Sequence, residues 1–414
     1  MGGRSQLPSG LPACMIAAGI AAAILAAPGT TATAAVTRAA GPCEGSSNPT
    51  FLSNNRRMVM TAGGRLLAVY DPHGSGQQLV WKDPAGGWRT KTRGNVSNGF
   101  FPGDRNGDRP ATIALARDGR GRQHAWVVWA GPDFSAHLLG VQMRRLSGLG
   151  SSGGPRVGPM VEIEPAGTRG NARTDLAFEK ARGKRRGVVS WLRRDHDGSH
   201  ELVVEWFTQL GTDRPKFHHR RSLITTNSAR PTGALVATRR GVRLIATTPS
   251  GKLKMFKHRN KAPLKRWSAT KARIKVPRKA IPSAVNLGRR GIFVALESSR
   301  NKNAVKVVRF PKGKRARVVL KARRHAQPTL TKVGNGASLI MIRGSDRRVV
   351  SRRFVPKRGW SRRDRVEIGP SAGGGYAWPN AIASSRRRVR FLVQGERCPT
   401  NPNSNAVLAY SRRT

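Results

Sequence analysis

Oxygen ligands converge on a hard cation when carboxylates and amides alternate along a loop, and Asp104-Arg105-Asn106-Gly107-Asp108 has that spacing. Arg109 stands where a glycine usually follows, and no later acid completes a shell. A turn between structural units is therefore the expectation, with calcium at Asp104, Asn106 and Asp108 left open. Asp195-His196-Asp197-Gly198 is similar, and Asp-Gly between two apolar runs most simply makes a tight hairpin. His200 lies near His196, and His218 and His219 lie elsewhere, without the Cys/His spacing of a zinc site. No metal and no cofactor are expected. Tyr70-Asp71-Pro72-His73-Gly74 leaves an apolar run with an acid and an imidazole beside it. If the fold has a functional pocket, Tyr70, Asp71 and His73 are candidates for its rim, with Tyr376 from the loop Gly373-Gly374-Gly375-Tyr376-Ala377-Trp378-Pro379. That loop lacks the Lys-Ser/Thr of a phosphate-binding loop, so nucleotide binding is not supported.

Charge is the strongest chemical signal. The chain has 77 Lys or Arg against 21 Asp or Glu, a net +56. From Pro215 onward there are 50 basic residues and only five acids, Glu297, Asp346, Asp364, Glu367 and Glu396; the first 214 residues hold 27 and 16. Solubility needs a net charge of only about 2 to 8 for a small domain, so the later part is expected to attract polyanions. Basic residues alternate with apolar ones in Lys252-Leu253-Lys254-Met255 and Arg273-Ile274-Lys275-Val276, a period of two that places charge on one face of a strand. Arg323-Arg324 and Arg386-Arg387-Arg388 read as loop tips. The expected ligands are teichoic acid, acidic glycans or anionic lipid headgroups. Nucleic acid is the weaker expectation, because aromatics for base stacking are not interleaved with the charge.

These side chains need strands to hold them. Apolar runs of about five residues recur around positions 68, 126, 189, 245, 294, 340 and 391, each after a turn. They are too short for helices and rich in β-branched and aromatic residues. Each reads as the second strand of a unit. Lighter alternating strands precede them, as in Ala111–Leu115 and Gly233–Ala237, and third strands follow, as in Gln78–Trp81 and Leu253–Phe256. A fourth often starts at a tryptophan, with Trp88, Trp267 and Trp360 in equivalent places. Four antiparallel strands per unit of about 45 to 60 residues predict an all-β, seven-bladed β-propeller over residues 56–414, with six blades as the alternative. Blades 4 to 7 then form a basic arc.

The ends have their own logic. Residues 1–34 read as a secretory signal, with Arg4, an apolar run from Ala13 to Ala27, and Ala32-Thr33-Ala34 as the cleavage site. The run is short of the ~20 residues of a spanning helix. An exported monomer, secreted and associated with the cell wall, is expected. The last unit supplies only three strands, so a strand from residues 35–55, near Thr50-Phe51-Leu52, is expected to complete it. Cys43 and Cys398 are expected to form a disulfide there, closing a loop of about 355 residues and worth on the order of 5 kcal/mol.

Trp81-Lys82-Asp83-Pro84-Ala85-Gly86-Gly87-Trp88 resembles the Asp-box of secreted sialidase-type β-propellers, a family with many non-catalytic members. Asp83 and Trp88 have that motif's spacing, whereas Trp81 replaces its Ser or Thr and the glycine is displaced to Gly86. The resemblance implies a hairpin turn in which Asp83 accepts backbone N–H bonds and Trp88 packs between strands. Sialidase catalysis would further require an arginine trio and a tyrosine activated by a glutamate. The chain has three tyrosines, Tyr70, Tyr376 and Tyr410, and its one echo of the Arg-x-Pro motif, Arg309-Phe310-Pro311, falls in the fifth unit. Glu297 and Glu396 are the candidate glutamates. A non-catalytic polyanion binder is the leading expectation, and a sialidase-like glycosidase the alternative.

Overall fold

The computed structural model describes residues 36–45, 56–70, 77–95, 111–132, 139–165, 172–179, 186–195, 197–228, 230–260, 262–278, 280–297, 304–369, 376–385, 388–397, 399–400 and 405–413. They form seven antiparallel sheets, the seven blades of a propeller. The first strands of successive blades are neighbours all the way round: Met58–Met60, Thr112–Arg117, Ala172–Phe178, Thr232–Thr238, Ser283–Asn286, His325–Val333 and Ala377–Ser385.

Every apolar run read from the sequence is the second strand of its blade: Leu66–Tyr70, Gln123–Pro132, Gly187–Arg194, Gly241–Thr247, Ile292–Glu297, Gly336–Arg343 and Arg388–Arg397. A propeller explains why they are continuous rather than alternating. Each second strand is covered by a blade on both faces, so both sets of side chains must be apolar. Leu66 to Tyr70 are all buried. The buried apolar residues fall into seven clusters, each made by two adjacent blades. The core is thus a ring of interfaces.

The third strands are Gln78–Lys82, Leu139–Ser147, His200–Thr208, Lys252–Arg259, Ala304–Phe310, Val349–Val355 and Asn405–Arg413. Fourth strands begin at or beside the expected tryptophans in Trp88–Asn95 and Ser268–Lys275. In blade 6 the fourth strand is split, Gly359–Trp360 and Arg365–Ile368 both pairing with the third. Blade 2 is split likewise, into Arg156–Val157 and Val161–Glu164.

Blade 7 is completed from the N-terminal side, but by an earlier segment than expected. Val36–Gly45 pairs antiparallel with Asn405–Arg413 as its outermost strand. Thr50-Phe51-Leu52 lies outside the described residues. Val36–Gly45 contributes its backbone pairing with Asn405–Arg413, Ala39 packed against the cluster between blades 1 and 7, and the Thr37 hydroxyl. Thr37 accepts a bond from Trp88 Nε1 at 3.1 Å, tying the closing strand to blade 1. Cys43 falls in this strand, but Cys398 lies outside the described residues, and so does the expected disulfide.

Candidate functional site

Most described carboxylates of blades 1 to 3 are engaged by internal partners, and Glu164, Asp175 and Asp213 are engaged across blade interfaces. Arg65 Nε donates to Asp83 at 2.6 Å and its Nη1 to the carbonyls of Leu149 and Ser151 in blade 2. Asp83 therefore holds an arginine where the Asp-box resemblance implied backbone N–H bonds. Gly86 N closes the turn onto the Asp83 carbonyl, and Trp88 packs partly buried beside Leu66 and Val80. Asp118 accepts from Arg120 N, Arg122 N, Arg122 Nε and His124. Despite burial, the bonds from His124 and Arg122 hold its carboxyl well below the usual range. Two open depressions, of about 560 and 370 Å³, lie beside Asp118 and Asp83 respectively.

Between blades 2 and 3, Glu164, Glu201 and Glu205 share Arg193 and Arg220, and Arg220 also lies over the Trp191 ring at 5.4 Å. Nearer the axis, Asp175 is 2% exposed on its side chain. It accepts Leu176 N at 2.7 Å, Leu235 N of blade 4 at 2.6 Å, and Arg56 Nη2 of blade 1 at 3.3 Å. Burial pushes its pKa up against those three donors. Sequence reading missed it. A hydroxyl recurs in the first strands, with Thr112, Thr174, Thr232, Ser283 and Thr329 all buried, and that recurrence was the available signal. Several of these bond to the next blade, Thr112 Oγ1 to the Thr174 carbonyl and Ser283 Oγ from Leu330 N.

The acids of blades 5 and 6 are also engaged, while the Glu396 side chain lies outside the described residues. Glu297 accepts Gln327 N, Asp346 binds Arg343 and Arg348, and Asp364 binds His325 and Arg352. Glu367 accepts from Ser351 and from the Tyr410 hydroxyl, the latter at 3.0 Å. This is a tyrosine–glutamate pair, invisible to spacing because it joins blade 6 to blade 7. Burial and the adjacent Glu367 push the Tyr410 phenol up, the opposite of activating it as a nucleophile. Tyr70 and Tyr376, the expected rim residues, are buried in apolar clusters, while Asp71 and His73 lie outside the described residues. Asp104, Asn106 and Asp108 lie outside them as well. Among the described residues no group of three or more His, Cys, Asp or Glu could hold a metal ion.

The basic residues are arranged quite differently. On the third strand of blade 4, Leu253 and Met255 pack toward blade 5, whereas Lys254 shares the other face with Phe256, its ammonium 4.8 Å from that ring. Lys252 stands opposite Lys275, and Lys254 opposite Lys271. Blade 5 repeats the arrangement, with Lys306 opposite Lys321 and Arg309 opposite Arg317, and in blade 7 Arg388 stands opposite Arg413. Among the described residues no carboxylate forms an ion pair with Lys252, Lys254, Lys275, Lys306 or Lys321. Arg273 belongs to the same fourth strand as Lys275; Arg323 and Arg324 are exposed where blade 5 leads into blade 6; Arg386 and Arg387 lie outside the described residues.

One titrating group couples blade 4 to blade 3. His258 is buried beside Trp206 and Trp267, ring centroids 4.5 and 5.5 Å away, with Nε2 donating to the Pro263 carbonyl at 3.2 Å. Burial, with Arg186 and Arg243 nearby, lowers its pKa to about 4. Unfolded, it takes up a proton near pH 6.5. Its contribution is therefore complete above pH 6.5 and lost as pH falls toward 4, about 3 kcal/mol in all. Urea midpoints at pH 7 and 4.5 should fall further for the wild type than for His258→Gln, and parallel falls would contradict a neutral buried imidazole.

No protein-family model matches the chain, and no curated protein matches it. Solved structures do resemble it. A fucose-specific lectin from Aleuria aurantia is 10% identical over 79% of this chain and 100% of its own, with a TM-score of 0.48. AofleA from Arthrobotrys oligospora is 11% identical over 88% of this chain and 91% of its own, TM-score 0.45. An α-L-arabinofuranosidase mutant from Fusarium graminearum, in complex with an iminosugar inhibitor, is 10% identical over 90% and 97%, TM-score 0.47. At such identities the likeness concerns the fold alone.

Proposed function

We propose that this protein is an exported, non-catalytic β-propeller, a distant relative of the sialidase-type propellers, that binds anionic polymers of the cell envelope or extracellular space through its later blades. The observation that carries the reading is the opposed like charges, Lys252 with Lys275 and Lys306 with Lys321. Directly opposite like charges destabilise a sheet by about 0.2–1 kcal/mol per pair. Blade 3 places Glu201 and Glu205 on its third strand and neutralises them with Arg193 and Arg220. Blades 4 and 5 leave their lysines uncompensated by any described carboxylate, which suits a surface neutralised by a ligand.

Retention on immobilised teichoic acid or heparin should persist to about 0.5 M salt, where only a dense array of contacts survives screening. The variant Lys252→Gln/Lys275→Gln/Lys306→Gln/Lys321→Gln should elute earlier yet melt no lower than the wild type, because two repulsive pairs are gone. Wild-type elution at low salt would sink the proposal, and turnover of a fluorogenic sialoside would install the glycosidase reading instead.

A further inference from the structure

The uncompensated lysines face grooves between blades. Contacts between neighbouring blades are concentrated on their first strands, and because blades radiate from the axis, their third and fourth strands stand apart at the rim. In blade 4, Phe256 and His258 pack toward blade 3, so Lys252 and Lys254, at the same period of two, face blade 3 as well, with Lys275 opposite Lys252. Across from them blade 3 offers the half-buried Leu223 and Ile224, and Arg221, which reaches over to the Lys265 carbonyl. In blade 5, Val308 and Phe310 pack toward blade 4, which turns Lys306 the same way, with Lys321 opposite it and Arg323 two residues on. Across from these lies the half-buried Ile274. Each groove sets a cationic wall against aliphatic side chains.

The equivalent position between blades 2 and 3 differs, because there Glu164, Glu201 and Glu205 are met by Arg193 and Arg220. By contrast, the strands Lys216–Thr226, Lys252–Arg259, Ser268–Lys275, Ala304–Phe310 and Arg317–Arg323 contain no Asp or Glu. Crowding, not number, singles the grooves out. An exposed turn cation such as Arg239 or Lys312 can swing away into solvent, whereas a sheet fixes opposed side chains with their Cβ atoms about 4.5–5.5 Å apart. The opposed Arg309 and Arg317 face blade 6 and are not equivalent, since Arg309 is spent on the Arg290 carbonyl and the Phe293 ring.

Resting on the polyanion reading above, we infer that the grooves between blades 3 and 4 and between blades 4 and 5 each take one extended strand of a phosphodiester polymer built on short polyol units. Its phosphates lie against the lysines and its carbon units against Ile224 or Ile274. Lys252 and Lys254, and likewise Lys321 and Arg323, are two residues apart on one face, a spacing of about 6.7 Å over six chain atoms. A polymer with a three-carbon spacer also has six chain atoms from one phosphorus to the next, so its charges recur at about that interval. Inorganic polyphosphate crowds its charges more than about twice as closely, and it has no carbon to set against the aliphatic wall. Single-stranded nucleic acid shares the spacing, but its bases bind by stacking on aromatic rings, and the side chains across from the lysines are aliphatic.

Poly(glycerol phosphate) is the probe, its binding measured by fluorescence anisotropy at about 0.1 M salt beside inorganic polyphosphate and oligothymidylate of equal charge. It should bind at least about tenfold more tightly than either. Two variants with equal charge loss locate the site. Lys252→Gln/Lys254→Gln/Lys321→Gln/Arg323→Gln strips both grooves, and Arg239→Gln/Lys312→Gln/Lys314→Gln/Lys357→Gln removes four exposed turn cations of blades 4 to 6. The groove variant should lose about tenfold or more and the turn variant less than about threefold. Equal losses in the two variants would overturn the grooves, and polyphosphate bound as tightly as poly(glycerol phosphate) would overturn the spacing, while either result leaves the polyanion reading intact. Oligothymidylate bound as tightly would overturn the polyol assignment and give the grooves to nucleic acid. A wild type that binds none of the three polymers defeats the polyanion reading itself.

Discussion

Asp175→Ala should lower the free energy of unfolding by about 4 kcal/mol, seen as a lower urea midpoint at unchanged slope. The carboxylate is buried at the junction of blades 3 and 4, and its two oxygens receive Leu176 N and Leu235 N besides Arg56. Truncation leaves both backbone donors without acceptors in a site that excludes water, at about 1–3 kcal/mol each. Arg56 is about two-fifths exposed and can turn to solvent, so it adds little. Asp175→Asn keeps one acceptor and sets an NH2 against the other donor, and should lie midway. A loss below about 1 kcal/mol for the alanine variant would show that the blades are not joined there.

Gly291→Ala should cost about 3 kcal/mol or more although it adds one methyl group. Gly291 enters the second strand of blade 5 at φ +89°, where a side chain is strained, and a Cβ there would drive into the Phe310 carbonyl on the third strand. Gly241 has the same role in blade 4, at φ +126° against the His258 carbonyl. Relief requires the second and third strands to part at their tightest point. The melting temperature of each variant measures this, and Gly313→Ala, in an open turn, supplies a comparison with strain at φ +69° but no close approach.

The repeat was legible because the second strands are buried on both faces, so runs such as Val188–Leu192 and Phe293–Leu296 stand out from any background. Tryptophans at fourth strands were legible for a related reason, since Trp88 and Trp267 cover the outer ends of inter-blade clusters. The closing strand was harder. Val36–Gly45 is placed by backbone pairing with Asn405–Arg413, and pairing of that kind leaves little trace in residue type. Asp175, the shared network of Glu164 with Arg220, and the Tyr410–Glu367 pair join residues 43 to 119 apart or lie on different blades, so no local spacing reveals them. The charge was legible as an arc, because it depends on residue counts along the chain and not on contacts.

The strand Val36–Gly45 also governs when the ring can form. Its partner Asn405–Arg413 lies some 370 residues further along, so this contact must wait until the blades between have been made. Blades 1 to 6 are each built from consecutive strands and can assemble locally, but until closure they form an open stack with apolar surface at both ends. The final act of folding is therefore a long-range search, and the unclosed edge of Asn405–Arg413 is where a second molecule would pair if that search were slow.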